Sequence, residues 1–329
     1  MPAPRFHAAG KTVRSTTPAK VTLRHLRSIG VESGQNILEI GTGSGYAAAL
    51  LAAAVGPRGN VTTLDINSDL VARAKRLYAT HSIPVSAVCA DGMPGFTAHA
   101  PYDRIIVGAT PPYIPAAWIQ QLTPAGVLFT GARLSPLPGS YGSARITKGT
   151  AAAHGPDVCL YFEGSTPMVT EHEHPGVQQV LDSQHPGKIL SSLAGSLPDA
   201  GRILSALCHS PFSEQQFTPL EAAFFHFKNW MLAERPPGLF VINHNTDNGI
   251  GVAATGDSAP ADAAFVQASG ELIAVAPDSP MRVDLRNLID RWKRSGMPST
   301  SDLLASLTPV PGDRYEVRLQ PKASLATPR

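Results

Sequence analysis

The residues most able to do chemistry are gathered in a glycine-rich pentapeptide. Its members are Gly41, Thr42, Gly43, Ser44 and Gly45. An apolar run ending at Ile40 precedes the pentapeptide, and an apolar run beginning at Tyr46 follows it. Glycine tolerates a positive φ and lets a backbone come close to a ligand. Because such loops form the nucleotide crevice at the carboxyl ends of strands in open α/β sheets, we expect a nucleotide-like ligand here.

Position 46 narrows the choice of ligand. A dinucleotide fold would carry G-x-G-x-x-G, with its third glycine at this position. Tyr46 stands there instead, so the pattern is G-x-G-x-G, and this disfavours a dehydrogenase. S-adenosylmethionine has no phosphate, and a tight bend suits its amino-acid end. Glu39 adds a carboxylate for the ammonium group of this ligand, directly or through water.

Two further carboxylates follow the next two predicted strands. Asp65, with Ile66 beside it, ends the second strand, and Asp91 with Gly92 follows the third. A carboxylate at the first position accepts hydrogen bonds from both ribose hydroxyls, and one at the second accepts from the adenine amino group. The alternative is that the acidic residues are solvated turn residues. Their occurrence at three successive strand ends favours binding of S-adenosylmethionine.

The surrounding periodicity predicts the elements that position these residues. Apolar runs predict strands at 36–40, 61–65, 85–90, 102–107 and 127–130. Amphipathic or apolar spacing predicts helices at 21–29, 46–55, 68–80 and 116–122. Strands that alternate with helices at this spacing indicate right-handed crossovers. The predicted fold class is therefore α/β, a Rossmann-like methyltransferase with a mostly parallel sheet.

The alternation stops near residue 131, and a second region follows. We expect a loop at 133–143, edge strands within 157–169, and a smaller C-terminal α+β region with helices at 220–232 and 283–294. The predicted organisation is an N-terminal arm and active-site loop (1–30), a methyltransferase domain (31–170), a linker (171–188), an accessory domain (189–320) and a disordered tail (321–329).

Composition limits the classes of partner. The chain has 27 Lys and Arg against 25 Asp and Glu, a net charge of +2 that predicts no nucleic-acid partner. The sequence shows no signal peptide and no membrane-length apolar run, which predicts a cytoplasmic protein without a membrane partner. His172, His174 and His185 lie in polar sequence without a closed ligand set, so no metal is expected. Nothing in the sequence specifies an oligomeric state.

Several motifs resemble those of the protein-L-isoaspartate O-methyltransferase family, from about residue 12 to residue 133. The similar segments are 38–48, 90–96, 102–109, 114–115 and 121–126. The resemblance implies S-adenosylmethionine as cofactor and a polypeptide carrying aspartate or isoaspartate as substrate. It also implies a methyl ester that collapses to a succinimide as a backbone amide displaces methanol.

The same resemblance implies acceptor-site residues. The family carries a Thr-Ile-Ser-Gln-Pro-like loop, and counting back from Pro18 puts Thr16 at the serine position, or Ser15 if the register shifts. Either hydroxyl would orient the acceptor oxygen, and backbone N–H groups near Gly108 and Ala109 would hold the other oxygen. The alternative for the loop is a simple turn of small polar residues.

The chain continues about 150 residues past this core, which resembles an extended actinobacterial branch of the family. Residues 288–293 and 296–298 are similar to a stretch near the end of those proteins. That branch implies methylation of an ordinary aspartate during maturation of a ribosomally made peptide, rather than isoaspartate repair. A third alternative is a non-catalytic partner protein that binds S-adenosylmethionine. We expect residues 190–320 to set substrate selectivity.

Overall fold

A computed structural model describes residues 6–8, 11–13, 18–149, 156–161, 177–181, 188–193, 196–197, 199–208, 212–216, 221–244, 247–255 and 261–321. The chain divides into two compact units. The first contains Met1–Arg133, Tyr141–His172 and Ser306–Val317, and the second contains Leu134–Ser140, Glu173–Ala305 and Arg318–Arg329.

The N-terminal half supplies ten strands and four helices within the described residues. The strands are β1 (Phe6–Ala8), β2 (Lys11–Val13), β3 (Asn36–Ile40), β4 (Asn60–Asp65), β5 (Ser86–Cys89), β6 (Tyr102–Val107), β7 (Ile114–Pro115), β8 (Leu122–Arg133), β9 (Tyr141–Thr147) and β10 (Asp157–Tyr161). The helices are α1 (Ala19–Ile29), α2 (Tyr46–Val55), α3 (Ser68–Thr80) and α4 (Ala116–Gln120).

The remaining elements follow in chain order. They are β11 (Val177–Leu181), β12 (Lys188–Leu193), α5 (Ala200–Cys208), β13 (Phe212–Gln215), α6 (Glu221–Glu234), β14 (Leu239–His244), β15 (Asp247–Ala253), β16 (Ala263–Gln267), β17 (Glu271–Ala274), α7 (Pro280–Arg294), β18 (Leu303–Val310) and β19 (Arg314–Pro321).

A seven-stranded sheet of order β10-β9-β8-β6-β3-β4-β5 forms the centre of the first unit, as far as the described residues extend. Strands β8, β6, β3, β4 and β5 are mutually parallel, whereas β9 and β10 pair antiparallel at one edge. The chain moves outward from β3 to β5 and then returns to β6, so the order reverses between β3 and β6. Ligands bind at such a switch point. The predicted Rossmann-like, mostly parallel fold is confirmed.

Local signals set the elements around this sheet. Helix α2 is apolar and packs its buried residues, Leu51 and Val55 among them, into the core formed with α3 and the strands. Asn67 caps α3, because its side chain accepts hydrogen bonds from the backbone N–H groups of Asp69 and Leu70. Gly30 ends α1 in the left-handed conformation. These boundaries place the end of each strand, and the loop that follows it, at one edge of the sheet.

The second unit is built on an antiparallel sheet. Its order within the described residues is β11-β12-β14-β15-β16-β17-β13. Helix α5 contributes Ile203, Leu204 and Leu207 to a core that includes Phe240 and Phe265 of the sheet. The predicted α+β character of the C-terminal region agrees with this arrangement.

The predicted division of the chain is wrong at four places. Residues 177–181, inside the predicted linker, form the edge strand β11, because pairing with β12 compensates for a polar sequence. Residues 134–140 belong to the second unit and 306–317 to the first, where β19 pairs with β7. Pro321, the first residue of the predicted tail, ends β19. Residues 322–329 lie outside the described residues.

Candidate active site

The glycine pentapeptide bends over the end of β4. Gly41, Gly43 and Gly45 have φ values of 99°, 50° and 81°, a region that L side chains rarely adopt. The N–H groups of Gly41 and Thr42 both donate to the Leu64 carbonyl, at 2.8 and 3.0 Å. The predicted loop geometry is therefore present, and it places the loop between the carboxyl ends of β3 and β4.

Close packing explains one of these glycines, Gly45. A Cβ on Gly45 would lie 2.9 Å from the Tyr78 hydroxyl oxygen, which donates to the Gly45 carbonyl at 3.0 Å. A Cβ on Gly41 would lie 3.5 Å from the Cα of Gly108, an ordinary contact distance, so the positive φ accounts for glycine at this position. The loop is thus held between α3 and the start of the segment that follows β6.

Asp65 supports the loop and retains hydrogen-bonding capacity. Its Oδ2 accepts from the Gly43 N–H at 3.0 Å, and its Oδ1 accepts from the Asn67 N–H at 2.9 Å. An ionised carboxylate has about four lone-pair sites, so each oxygen retains capacity for one more donor. Ile66 beside it is 60% exposed and presents an apolar surface at the same edge. This arrangement suits a ligand with two adjacent hydroxyls and a flat ring.

Asp91 and Gly92 follow β5 at the neighbouring position. Asp91 is exposed, and its Oδ1 accepts from the Met93 N–H at 2.9 Å. Gly92 is buried, and a Cβ there would lie 2.3 Å from Cγ2 of Ile40. The glycine therefore lets this turn lie against the end of β3, and Trp118 fixes the turn through its indole N–H, which donates to the Gly92 carbonyl at 2.8 Å.

Glu39 is buried beneath the loop, with 4% of its surface exposed. The Thr63 hydroxyl donates to Oε2 of Glu39, and the Thr42 and Thr63 hydroxyl oxygens are 2.8 Å apart. Because Thr63 has one hydroxyl hydrogen, Thr42 is the donor in that second bond. The two threonines extend the loop's hydrogen bonding to the buried carboxyl group.

Burial raises the pKa of Glu39 to about 8, while the Thr63 hydrogen bond lowers it and the nearby Asp65 carboxylate raises it further. Near neutral pH this carboxyl group is therefore largely protonated unless a cation lies beside it. A ligand ammonium group would supply that cation.

The segment after β6 departs from the expected acceptor geometry. The Gly108 N–H donates to the Ile40 carbonyl at 2.7 Å, so the hydrogen bonding of the β3–β6 pair consumes it. The prediction that this N–H holds an acceptor oxygen is wrong for that reason. The role predicted for Ala109 stays a prediction.

Ser15 and Thr16 lie outside the described residues. Helix α1, which follows them, is held at its C-terminal end by the Arg104 guanidinium, whose Nε donates to the Ile29 carbonyl at 2.6 Å. One turn earlier, the His25 ring lies 4.8 Å from the ring of Phe129 in β8. Helix α1 therefore runs antiparallel to the strands and begins at the carboxyl edge of the sheet. The role of either hydroxyl stays a prediction.

Sequence reasoning missed the residues that join the site from a distance. Thr63 was treated as one more residue of a buried strand, and only the parallel register that pairs it with Glu39 shows its role. Arg73 of α3 donates from Nη1 to the Ser44 carbonyl at 3.0 Å. No local pattern marks this contact, because it joins α3 to a loop 29 residues earlier in the chain.

The described part of the chain holds no group of three His, Cys, Asp or Glu side chains arranged to bind a metal ion. His172, His174 and His185 are outside it. Among the same residues, no helix is both long enough and apolar enough to cross a membrane. Cellular location, and the expectation that no nucleic acid is a partner, stay predictions.

The sheet order, the glycine loop and the strand-end carboxylates together define the Rossmann-like methyltransferase fold class. Residues 8–133 match the model of one family in this class, described as Protein-L-isoaspartate(D-aspartate) O-methyltransferase (PCMT). This match confirms, for that part of the chain, the resemblance that the motifs indicated.

Individual relatives give the same result over the same region. A protein-L-isoaspartate O-methyltransferase of Methanococcus maripaludis is 40% identical over 99 residues, which cover 30% of this chain and 47% of the relative. One from Ignicoccus hospitalis is 43% identical over 96 residues, covering 29% and 46%. The chain thus spans about half the length of the curated relatives it matches.

A solved structure named protein-L-isoaspartate O-methyltransferase is also similar to this chain. The similar region covers 95% of this chain and 84% of the chain in that structure, with 18% sequence identity and a TM-score of 0.48.

Proposed function

We propose that this protein is an S-adenosylmethionine-dependent carboxyl O-methyltransferase acting on an aspartyl or isoaspartyl side chain of a protein or peptide. The observation that carries the proposal is the grouping of Glu39, Asp65 and Asp91 at successive strand ends around the glycine loop. The match of residues 8–133 to the PCMT family supports the choice of acceptor.

The residues at this edge fit the cofactor in chemical type. Asp65 has free acceptor capacity for the ribose hydroxyls, Ile66 offers an apolar surface, and Asp91 is exposed for the adenine amino group. Glu39 is a buried carboxyl group that a neighbouring ammonium would ionise. When bound, S-adenosylmethionine supplies a methyl group attached to a positively charged sulfur.

The chain's own task in this chemistry is positioning. An acceptor carboxylate has an ordinary pKa of about 4 and is ionised at neutral pH, so no strong general base is required. The site must align the acceptor oxygen and exclude water from it. The hydroxyl of Thr16 or Ser15 and the N–H of Ala109 are the groups we assign to orient the acceptor.

The proposal also concerns which residue accepts the methyl group, isoaspartate or ordinary aspartate. An isoaspartyl acceptor corresponds to repair, and an ordinary aspartyl acceptor corresponds to peptide maturation. In either case the ester collapses to a succinimide when a backbone amide displaces methanol, which needs no enzyme. We assign the choice between acceptors to residues 190–320, since the resemblance to the shorter family core ends well before them.

Matched peptides test the proposal. Three peptides differing only at one position, with isoaspartate, aspartate or asparagine, are incubated with the full chain and S-adenosylmethionine, and methyl esters are measured by mass spectrometry. We expect an ester on one of the acidic peptides and none on the asparagine peptide. Ester on isoaspartate indicates repair, and ester on aspartate indicates maturation.

Variants of the N-terminal loop separate its two registers. Thr16→Val and Ser15→Ala each remove one candidate hydroxyl, and Thr17→Val is the matched control. The register is given by whichever of the first two variants lowers kcat. Binding of S-adenosylmethionine without ester on either acidic peptide would contradict the proposal and support the non-catalytic alternative.

A further inference from the structure

Two arginines and two tyrosines gather at the carboxyl edge of the first unit, outside the glycine loop. This edge cluster consists of Tyr113, Arg133, Tyr141 and Arg314. Arg133 is the last residue of β8, and Tyr141, the first residue of β9, is its direct partner in the strand register. Arg314 begins β19 and places its guanidinium carbon 4.2 Å from the centre of the Tyr113 ring.

The strand register places Arg133 past the carboxyl end of β6. Ile106 of β6 is paired with Phe129 of β8, and β6 ends one residue later, whereas β8 continues to Arg133. Arg133 therefore projects past the end of β6, at the edge where Gly108 bonds the Ile40 carbonyl and the glycine loop begins. Because Val107 is level with Thr130, Arg133 lies three residues, about 10 Å of strand, beyond the end of β6 while still paired with β9.

The alternation of side chains along β8 shows on which face of the sheet the Arg133 side chain lies. Phe129 and Arg133 are four residues apart in a regular antiparallel pairing with β9, so they lie on the same face of the sheet. Phe129 contacts His25 of α1 on that face. Arg133 is therefore on the face of the sheet that α1 covers.

The surroundings of Arg133 suit recognition of an anion. The side chain is half-buried, and burial lowers its pKa while Tyr141 and Tyr113 oppose the shift. The guanidinium stays charged near neutral pH, because its ordinary pKa is very high. Its five N–H donors form a rigid fork that matches a carboxylate, and partial removal from water strengthens such charge-assisted hydrogen bonds.

Tyr113 is positioned by the C-terminal hairpin. β19 pairs with β7 through Arg314 opposite Pro115 and Tyr315 opposite Ile114, and the Ala116 N–H donates to the Asp313 carbonyl at 2.9 Å. This pairing places Arg314 over the Tyr113 ring, a cation–π contact that orients the phenol. The hairpin thus holds a second cation at the same edge.

We propose that Arg133, flanked by Tyr113 and Tyr141, binds the acceptor carboxylate of the polypeptide, and that Arg314 is a positioning residue acting through Tyr113. The inference rests on the proposed function and specifies its acceptor site. Methylation turns the carboxylate into a neutral ester, so the attraction to Arg133 falls when the product forms. The same residue would therefore favour substrate entry and product release.

Peptide binding to the full chain saturated with S-adenosylhomocysteine tests this assignment without relying on turnover. The probes are the isoaspartyl, aspartyl and asparaginyl peptides, labelled for fluorescence anisotropy. We expect wild type to bind one acidic peptide more tightly than the asparaginyl peptide. Arg133→Gln should weaken that acidic peptide on the order of 10- to 100-fold and leave the asparaginyl peptide unchanged. Arg133→Lys, which keeps the charge and loses the fork, should fall between.

Arg76→Gln is the matched control, because Arg76 is an exposed arginine of α3. Unchanged affinity of Arg133→Gln for S-adenosylhomocysteine would establish that the site is folded. Retention of the wild-type preference by Arg133→Gln, or equal binding of all three peptides by wild type, would overturn the assignment. A third outcome is that the chain prefers the acidic peptide, that this preference depends on Arg133, and that no ester forms. This outcome would contradict only the proposed function.

Discussion

The two units each bury an ionisable side chain, but they surround it differently. In the first unit Glu39 is 4% exposed, and burial raises its pKa to about 8. In the second unit Lys228 of α6 is 7% exposed, and burial lowers its pKa to about 8. Glu39 lies under a glycine loop among other strand-end carboxylates, whereas the Lys228 amine donates to the Gly139 carbonyl at 3.0 Å.

From this difference we infer a binding role for Glu39 and a structural role for Lys228. Lys228 joins helix α6 to residues 134–140 through the backbone carbonyl of Gly139. Glu39 accepts a hydrogen bond from the Thr63 hydroxyl, which lowers its pKa less than burial raises it, and the nearby Asp65 carboxylate also acts against its ionisation. A ligand cation would remove that disadvantage, which is why we place the ligand ammonium at Glu39 and assign no ligand to Lys228.

The largest expected effect is the pH dependence contributed by Glu39. Its pKa rises from an ordinary 4.5 to about 8 on folding, so the folded state binds the extra proton between these values. The free energy of unfolding therefore falls as the pH rises from 4.5 to 8, on the order of 5 kcal/mol in all. Glu39→Gln should lose this slope, and its stability relative to wild type should grow with pH.

Urea unfolding between pH 5 and 8, followed by fluorescence of Trp118 in the first unit with the other two tryptophans replaced, measures this slope. Glu32→Gln, at an exposed position, is the matched control. Parallel curves for wild type and Glu39→Gln would show that Glu39 is ionised and stabilised without a ligand. The contrast between the two buried groups would then fail.

A smaller effect of opposite sign is expected for Lys228. Its pKa falls from 10.5 to about 8 on folding, so the unfolded state binds the extra proton between these values. The free energy of unfolding should rise by about 3 kcal/mol as the pH increases through this window. Lys228→Met should lack the increase, and exposed Lys75→Met should retain it. Equal slopes in Lys228→Met and wild type would mean that the amine stays charged in the fold.

The sequence predicts an element correctly when residues close together in the chain determine it, and fails when a distant pairing partner does. Helices α2 and α3 have the predicted bounds, because apolar spacing and the Asn67 cap act within a few residues. Strand β9 falls partly in a predicted loop, since small residues such as Gly142 and Ser143 gain their stability from pairing with β8. Strand β11 was missed for the same reason, as its partner is β12.

The site divides in the same way. The glycines and the three acidic residues were readable because each belongs to a short motif at a strand end. The Thr63 hydrogen bond to Glu39 spans 24 residues, and Arg314 reaches Tyr113 across 201 residues (314 minus 113), so neither has a local pattern. The hydrogen bond from the Gly108 N–H to the Ile40 carbonyl likewise joins residues distant in sequence, so no local pattern predicts it.

Binding of S-adenosylhomocysteine to Asp65→Asn tests the central claim, that the strand-end carboxylates hold the cofactor, most directly. Calorimetry should show affinity on the order of 10- to 100-fold weaker than wild type, because hydrogen bonds from the ribose hydroxyls to a charged acceptor are lost. Asp69→Asn, at an exposed position in the first turn of α3, should bind as wild type does. An analogue lacking both ribose hydroxyls should bind wild type and Asp65→Asn equally. Equal affinity of wild type and Asp65→Asn for S-adenosylhomocysteine itself, or no binding by wild type, would contradict the account.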